Sequence, residues 1–194
     1  MAFQSRTGAF LPMNTRILPV LATVVASFLT SLSCAAPAAV QSIIDTEVAA
    51  AKVLAADPAI VAAVKGYNAA PSTEAQSMTQ EKWKTLTLLD PLVRSFSKNP
   101  AAEVLKTRKS AIVTEAFLSG ADGGKVAFLA KPSGWSHKGK AKHDDPMTGK
   151  VWQGDVEVDE STGMQQVQIA VPVLDGDKPI GSLVVGLGMT KMSN

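Results

Sequence analysis

The stretch from Val151 to Met189, VWQGDVEVDESTGMQQVQIAVPVLDGDKPIGSLVVGLGM, most constrains what this chain can fold into. Val167, Ile169, Val171 and Val173 alternate with Gln166, Gln168, Ala170 and Pro172. A period of two with one apolar face predicts a half-buried strand. Pro172 has no N–H to give to a ladder, so it belongs near the strand end or at an unpaired position. Asp175-Gly176-Asp177 is a turn signal, and Ile180 to Leu187 follows as the partner strand. Leu183, Val185 and Leu187 share one face of that strand, while Ser182, Gly186 and Gly188 leave the other open to close approach. Upstream, Glu160-Ser161-Thr162-Gly163 reads as a second turn, preceded by Val156 and Val158 alternating with acidic residues. Two successive hairpins make a meander, and a meander needs a covering layer to bury its apolar face.

The covering layer is legible upstream. Ile44, Val48, Ala51 and Ala55 recur on one helical face within Val40 to Ala56. Asp57-Pro58, Asp90-Pro91 and Asn99-Pro100 each place a capping residue before a proline at the first helical position. Ser77 and Gln80 have capping-box spacing, with Trp83, Leu86 and Leu89 or Asp90 following at helical intervals. These signals predict short helices separated by sharp turns. Ile112 to Leu118 alternates with apolar residues on both faces, a strand covered on both sides. Gly120 to Gly124 is its turn, and Val126 and Phe128 lie on the returning strand. Lys131 to Lys150, with five lysines and both histidines, is a long loop in which Trp135 stands out as the apolar anchor.

Of the 194 residues, 19 are Lys or Arg and 17 are Asp or Glu. Arg6 and Arg16 are the only charges before Val40, and the remainder is formally neutral, which argues against a nucleic-acid surface. A basic segment to Arg16, an apolar run Ile17 to Leu32 and the small residues around Ala36 to Ala39 have the layout of a secretory signal peptide over residues 1–38. The expected mature chain, 39–194, is one domain, helical over 40–109 and sheet over 111–190, in a periplasmic or secreted location. Membrane attachment would come only through an uncleaved signal or a lipidated Cys34, the single cysteine, which also precludes an internal disulfide.

The runs WQGD at Trp152 to Asp155, VEVDEST, VQIAVPV and DGDKPIGSLVVGL, after helices and a strand–turn–strand, resemble the C-terminal half of a Cache domain. Cache domains, also called PDC domains, are PAS-like extracytoplasmic sensor modules, and the resemblance covers roughly residues 40–189. It implies an α+β fold, an antiparallel sheet of about five strands covered by N-terminal helices. It also implies a ligand pocket bordered by the segment after the second strand. This chain departs from the pattern by inserting Lys131 to Lys150 and by carrying Val156 where an acidic residue is common.

What the resemblance implies about function is non-covalent binding of a small solute, a carboxylate or an amino acid, without catalysis or a cofactor. The candidate ligand-binding residues are Arg94, Trp135, Lys138, Trp152, Gln153 and Asp155. Arg94 suits a bidentate carboxylate contact if it faces a pocket, and is merely solvated on a helix flank. Trp152 and Asp155 also have a plain reading, as a packing residue and a turn cap. Two rivals stand beside the sensor reading. One is a structural or interaction module that kept the fold and lost its ligand, with a membrane receptor or another periplasmic protein as partner. The other is metal binding through His137, His143, Asp144 and Asp145, which no recognised ligand spacing supports. No GxSxG elbow, P-loop or Cys–His pair points to an enzyme.

Overall fold

In the computed structural model, which describes residues 1, 38–158 and 163–192, five strands form a single antiparallel sheet in the order β2-β1-β5-β4-β3. The strands are β1 (Val113–Gly120), β2 (Lys125–Phe128), β3 (Trp152–Val158), β4 (Gln165–Asp175) and β5 (Lys178–Gly188). The chain is α+β, with helices ahead of the sheet as the sequence predicts and two further helices after β2 and after β5. The signal-peptide reading, Cys34 and the turn residues Glu160 to Thr162 fall outside the described residues. No helix among the described residues is long and apolar enough to cross a membrane.

One face of the sheet is a plain apolar core. Ala116 and Leu118 of β1, Val167, Ile169, Val171 and Val173 of β4, and Leu183, Val185 and Leu187 of β5 all point to it. They pack on α1 (Ala38–Ala55), α2 (Pro58–Ala69) and α6 (Pro100–Arg108), which bury Ile44, Ile60, Val64 and Leu105 there. Two of the proline devices work as read. Asp57 caps α2 by accepting from the Ala59 N–H at 2.9 Å, and Asn99 caps α6 by accepting from the Ala102 N–H at 2.9 Å. Asp90 heads α5 (Pro91–Lys98) without a side-chain cap bond.

The region between is shorter in helix than its spacing suggests. Ser77 ends α3 (Thr73–Gln76), and Thr79 caps α4 (Gln80–Thr85) in its place, so the capping box at Ser77 does not form. Leu89 lies beyond α4 and is 80% exposed. Trp83 is fully buried and donates its indole N–H to the Pro132 carbonyl at 2.8 Å, tying α4 to the segment after β2. That segment carries α7 (Ala141–Met147), and the chain ends its described part in α8 (Met189–Met192). Pro172 of β4 lies beyond Ala170, the last β4 residue paired with β3, so it faces a neighbour on one side only.

Candidate functional site

The second face of the sheet is built in rows. Because neighbouring strands register residue against residue, side chains from several strands meet in lines across the sheet. One line is apolar: Phe128, Phe117, Val184, Ala170 and Trp152, one from each strand. Around it, Trp83, Phe96, Trp135 and Phe128 form an aromatic cluster, with the Trp83 and Trp135 ring centres 5.2 Å apart.

The next line is polar. Glu115 pairs with Gly186, and Gly186 pairs with Gln168. Two strand spacings, roughly 9–10 Å, separate the outer backbones. Gly186 carries no side chain, so Glu115 and Gln168 reach across it and meet, the Gln168 Nε2 donating to Glu115 Oε2 at 2.9 Å. A Cβ at Gly186 would lie 2.5 Å from the Gln166 Oε1 and 3.1 Å from the Glu115 Cβ, so a side chain there would displace Gln166 and press on Glu115. Gln166 adds a donor to Glu115 at 3.3 Å and accepts from the Thr114 hydroxyl at 2.7 Å. A buried carboxylate is tolerable only when satisfied in this way.

Residues 131–150 close over this polar row rather than looping into solvent. Trp135 is 6% exposed and His143 1% exposed. His143 holds α7 down through a 2.8 Å contact between its Nδ1 and the Ser182 hydroxyl. Lys142 donates to Gln168 Oε1 at 2.7 Å, so one amide bridges the lid and the carboxylate on the sheet. Between lid and sheet lies a pocket of about 230 Å³, bordered by Glu115, His137, Lys140, Lys142, Glu157 and Gln168 among others. It combines cations and carboxylates in one small space. Lys140 and Glu157 make no ion pair among the described residues. A neighbouring groove of about 500 Å³ shares Ser133 and Lys140 with it and includes Trp135. A third opening of about 490 Å³, among α2, α5 and α6, has no charged residue on its wall.

Behind the pocket, Lys125 of β2 is fully buried, and burial holds its ammonium well below the ordinary lysine range, with the Lys142 charge adding to the effect. His137 is likewise held far below the ordinary histidine range by burial and by Lys125. His143 shifts the same way by burial, so both imidazoles are neutral around pH 7.

The six residues predicted from sequence are spread out. Trp135 belongs to the aromatic cluster and borders the neighbouring groove. Trp152 is half-buried against that cluster. Arg94 is exposed on α5, Lys138 is exposed at the start of the lid, and Asp155 is exposed on the edge strand. Gln153 exchanges hydrogen bonds with Gln41 of α1, on the other side of β3. None of the six borders the polar pocket. Its lining was missed because Gln168 reads as the solvent side of an alternating strand and Glu115 as a lone polar residue on a strand covered on both faces. The one available signal was Gly186, flagged as a place of close approach. Among the described residues there is no group of three or more His, Cys, Asp or Glu that could hold a metal ion.

No protein-family model matches the chain, and neither does any curated protein. Among solved structures it is similar to the sensor domain of E. coli DcuS, at 14% identity over 80% of this chain and 95% of that one, with a TM-score of 0.48. It is also similar to the ligand-binding domain of the Campylobacter jejuni chemoreceptor Tlp3 in complex with 4-methylisoleucine, at 11% identity, 80% and 62% coverage and a TM-score of 0.41. A third is the sensor domain of the V. cholerae histidine kinase DctB, at 15% identity, 78% and 58% coverage and a TM-score of 0.38.

Proposed function

We propose that this protein is an extracytoplasmic sensor module that binds a small charged solute, a carboxylate or an amino acid, between its sheet and residues 131–150. The observation that carries this reading is the polar row beneath the lid. Glu115, Gln168 and Lys142 are linked in one network at the wall of an open pocket. Buried polar networks are costly to assemble, and stability alone is better served by apolar packing. Lys140 and Lys142 suit a carboxylate, while Glu115 and Glu157 suit an ammonium. At about 230 Å³ the pocket lies below the range of drug-sized sites, which favours a solute of a few heavy atoms. A module that had lost its ligand would have this space filled by side chains, and the space left among the described residues supports the binding reading. The signal-peptide pattern of residues 1–38 supports the extracytoplasmic location.

The test is a thermal-shift screen of small carboxylates and amino acids, followed by calorimetry on the hits. A ligand at a hundredfold over its Kd adds about 2.7 kcal/mol of stability. Binding lost in Lys140→Ala or Lys142→Ala and kept in Arg94→Ala and Lys138→Ala assigns the polar pocket. The reverse pattern moves the site to the residues the sequence singled out. No shift with any compound refutes the binding reading.

A further inference from the structure

His137 borders the pocket with its ring stacked on Phe117, the centres 4.8 Å apart and the planes 16° off parallel. Its Nδ1 lies 2.6 Å from the Nζ of Lys125. The other contacts of that amine are the Ser119 hydroxyl at 3.2 Å, the Gly123 carbonyl at 3.4 Å and the face of Phe117, 4.7 Å from its centre. No carboxylate among the described residues makes an ion pair with Lys125.

A lysine ammonium only donates, so a charged Lys125 directs a proton at Nδ1 and leaves the neutral imidazole with its own proton on Nε2. That Nε2 makes no hydrogen bond with the described protein residues, yet it is not among the sealed, unpartnered polar atoms. Gly134 faces it, and even a Cβ there would stay 3.5 Å away. Nε2–H is therefore a donor left unpaired on a residue that borders the pocket, beside Gly134 of the neighbouring groove and backed through the ring by Lys125. Two protonated groups at 2.6 Å repel strongly, so the pair carries one charge or none. Lys140, Lys142 and His143 of the lid oppose the charge, as does burial, while Glu115 of β1 and Asp122 of the β1–β2 turn favour it.

We propose that the Lys125–His137 pair is a proton-coupled anion site: a carboxylate in the pocket accepts from His137 Nε2–H, and Lys125 takes up a proton from solvent. The ligand thus enters as an anion together with a proton, and its affinity falls as pH rises. This rests on the reading of the pocket as a ligand site.

The test is calorimetry of the purified protein with succinate, glycine betaine and L-alanine, whose charges stay nearly constant between about pH 6.5 and 8.5. Titrations in Tris and in HEPES separate the buffer's ionisation heat from the binding heat. Proton uptake of up to about one per ligand is expected, with Kd weakening by at most about tenfold per pH unit. Both should vanish in Lys125→Met and in His137→Asn, and the wild-type pH series stands even if one variant does not fold. Binding with no buffer-dependent heat and a flat Kd overturns the proton coupling while leaving the pocket intact. No binding of any of the three probes, with none in the wider panel, overturns both.

Discussion

The two faces of the sheet are made by the same strands and differ in kind. Ile169 and Gln168 are adjacent in β4, with 0% and 4% exposure. Ile169 packs into the helix-covered core, and Gln168 joins Glu115 to Lys142 beneath the lid. The first face is aliphatic and needs nothing but packing. The second holds Glu115, Ser119, Lys125, Gln166, Gln168 and Ser182 out of water, each with specific partners. Apolar burial contributes about 25 cal/mol per Å² without directional demands, whereas a buried polar group gives little net stability and costs much if one partner is lost. Stability is therefore concentrated on one face and directional polar contacts on the other.

The largest expected break in that contrast is Ile169→Ala. A truncation in the sealed core should cost about 2–5 kcal/mol, read as a drop in the denaturation midpoint. Ligand affinity measured well below the melting temperature should be unchanged. Lys125→Met should act in the opposite sense. Replacing a buried lysine amine that makes no ion pair among the described residues with an apolar chain of similar length is expected to stabilise by about 1–4 kcal/mol at neutral pH. The folded state holds Lys125 well below its ordinary value of 10.5. Between the lowered value and that ordinary one the unfolded chain binds the extra proton, so wild-type stability rises with pH. The advantage of Lys125→Met should therefore be greatest at the acid side of that window and disappear above it. Gln168→Leu should cost about 1–3 kcal/mol through the hydrogen bonds it removes from Glu115 and Lys142, and should weaken ligand binding at least tenfold. If Gln168→Leu spared affinity, the second face would be structural like the first.

How much of this was readable follows from the same contrast. The first face is written in the period-two valines of β4 and the aliphatic side of β5, because hydrophobic alternation reports burial directly. Helix starts at Asp57 and Asn99 were readable because capping is local chemistry. The second face was not, because a glutamine under a lid and a glutamine in water look alike in sequence. Whether Gln168 is buried depends on α7, which is fixed by His143 on Ser182, a contact 39 residues apart in the chain. Lys125 was equally opaque. It follows a glycine turn, where a lysine is expected in solvent, yet its amine lies against Ser119, the Phe117 ring and the returning His137. The pocket's position between sheet and lid came from family resemblance. The residues lining it are set by strand register, which no local pattern specifies.

The smallest effect tests whether polar groups on the helix side are purely structural. Asp57 is 8% exposed, caps α2 through the Ala59 N–H and pairs with Arg108 at 3.0 Å. It has two separable roles. Asp57→Ala removes both and should cost about 1–2 kcal/mol, mostly from the lost cap. Asp57→Asn keeps a capping oxygen and loses only the pairing with an Arg108 whose side chain is 56% exposed. A pair so open to solvent is worth about 0–1 kcal/mol, so Asn should recover most of the stability. Neither change should move ligand affinity, because α2 packs on the face away from the lid. A measurable shift in Kd for Asp57→Asn at unchanged stability would mean that the two faces communicate, and that the helical layer does more than cover the core.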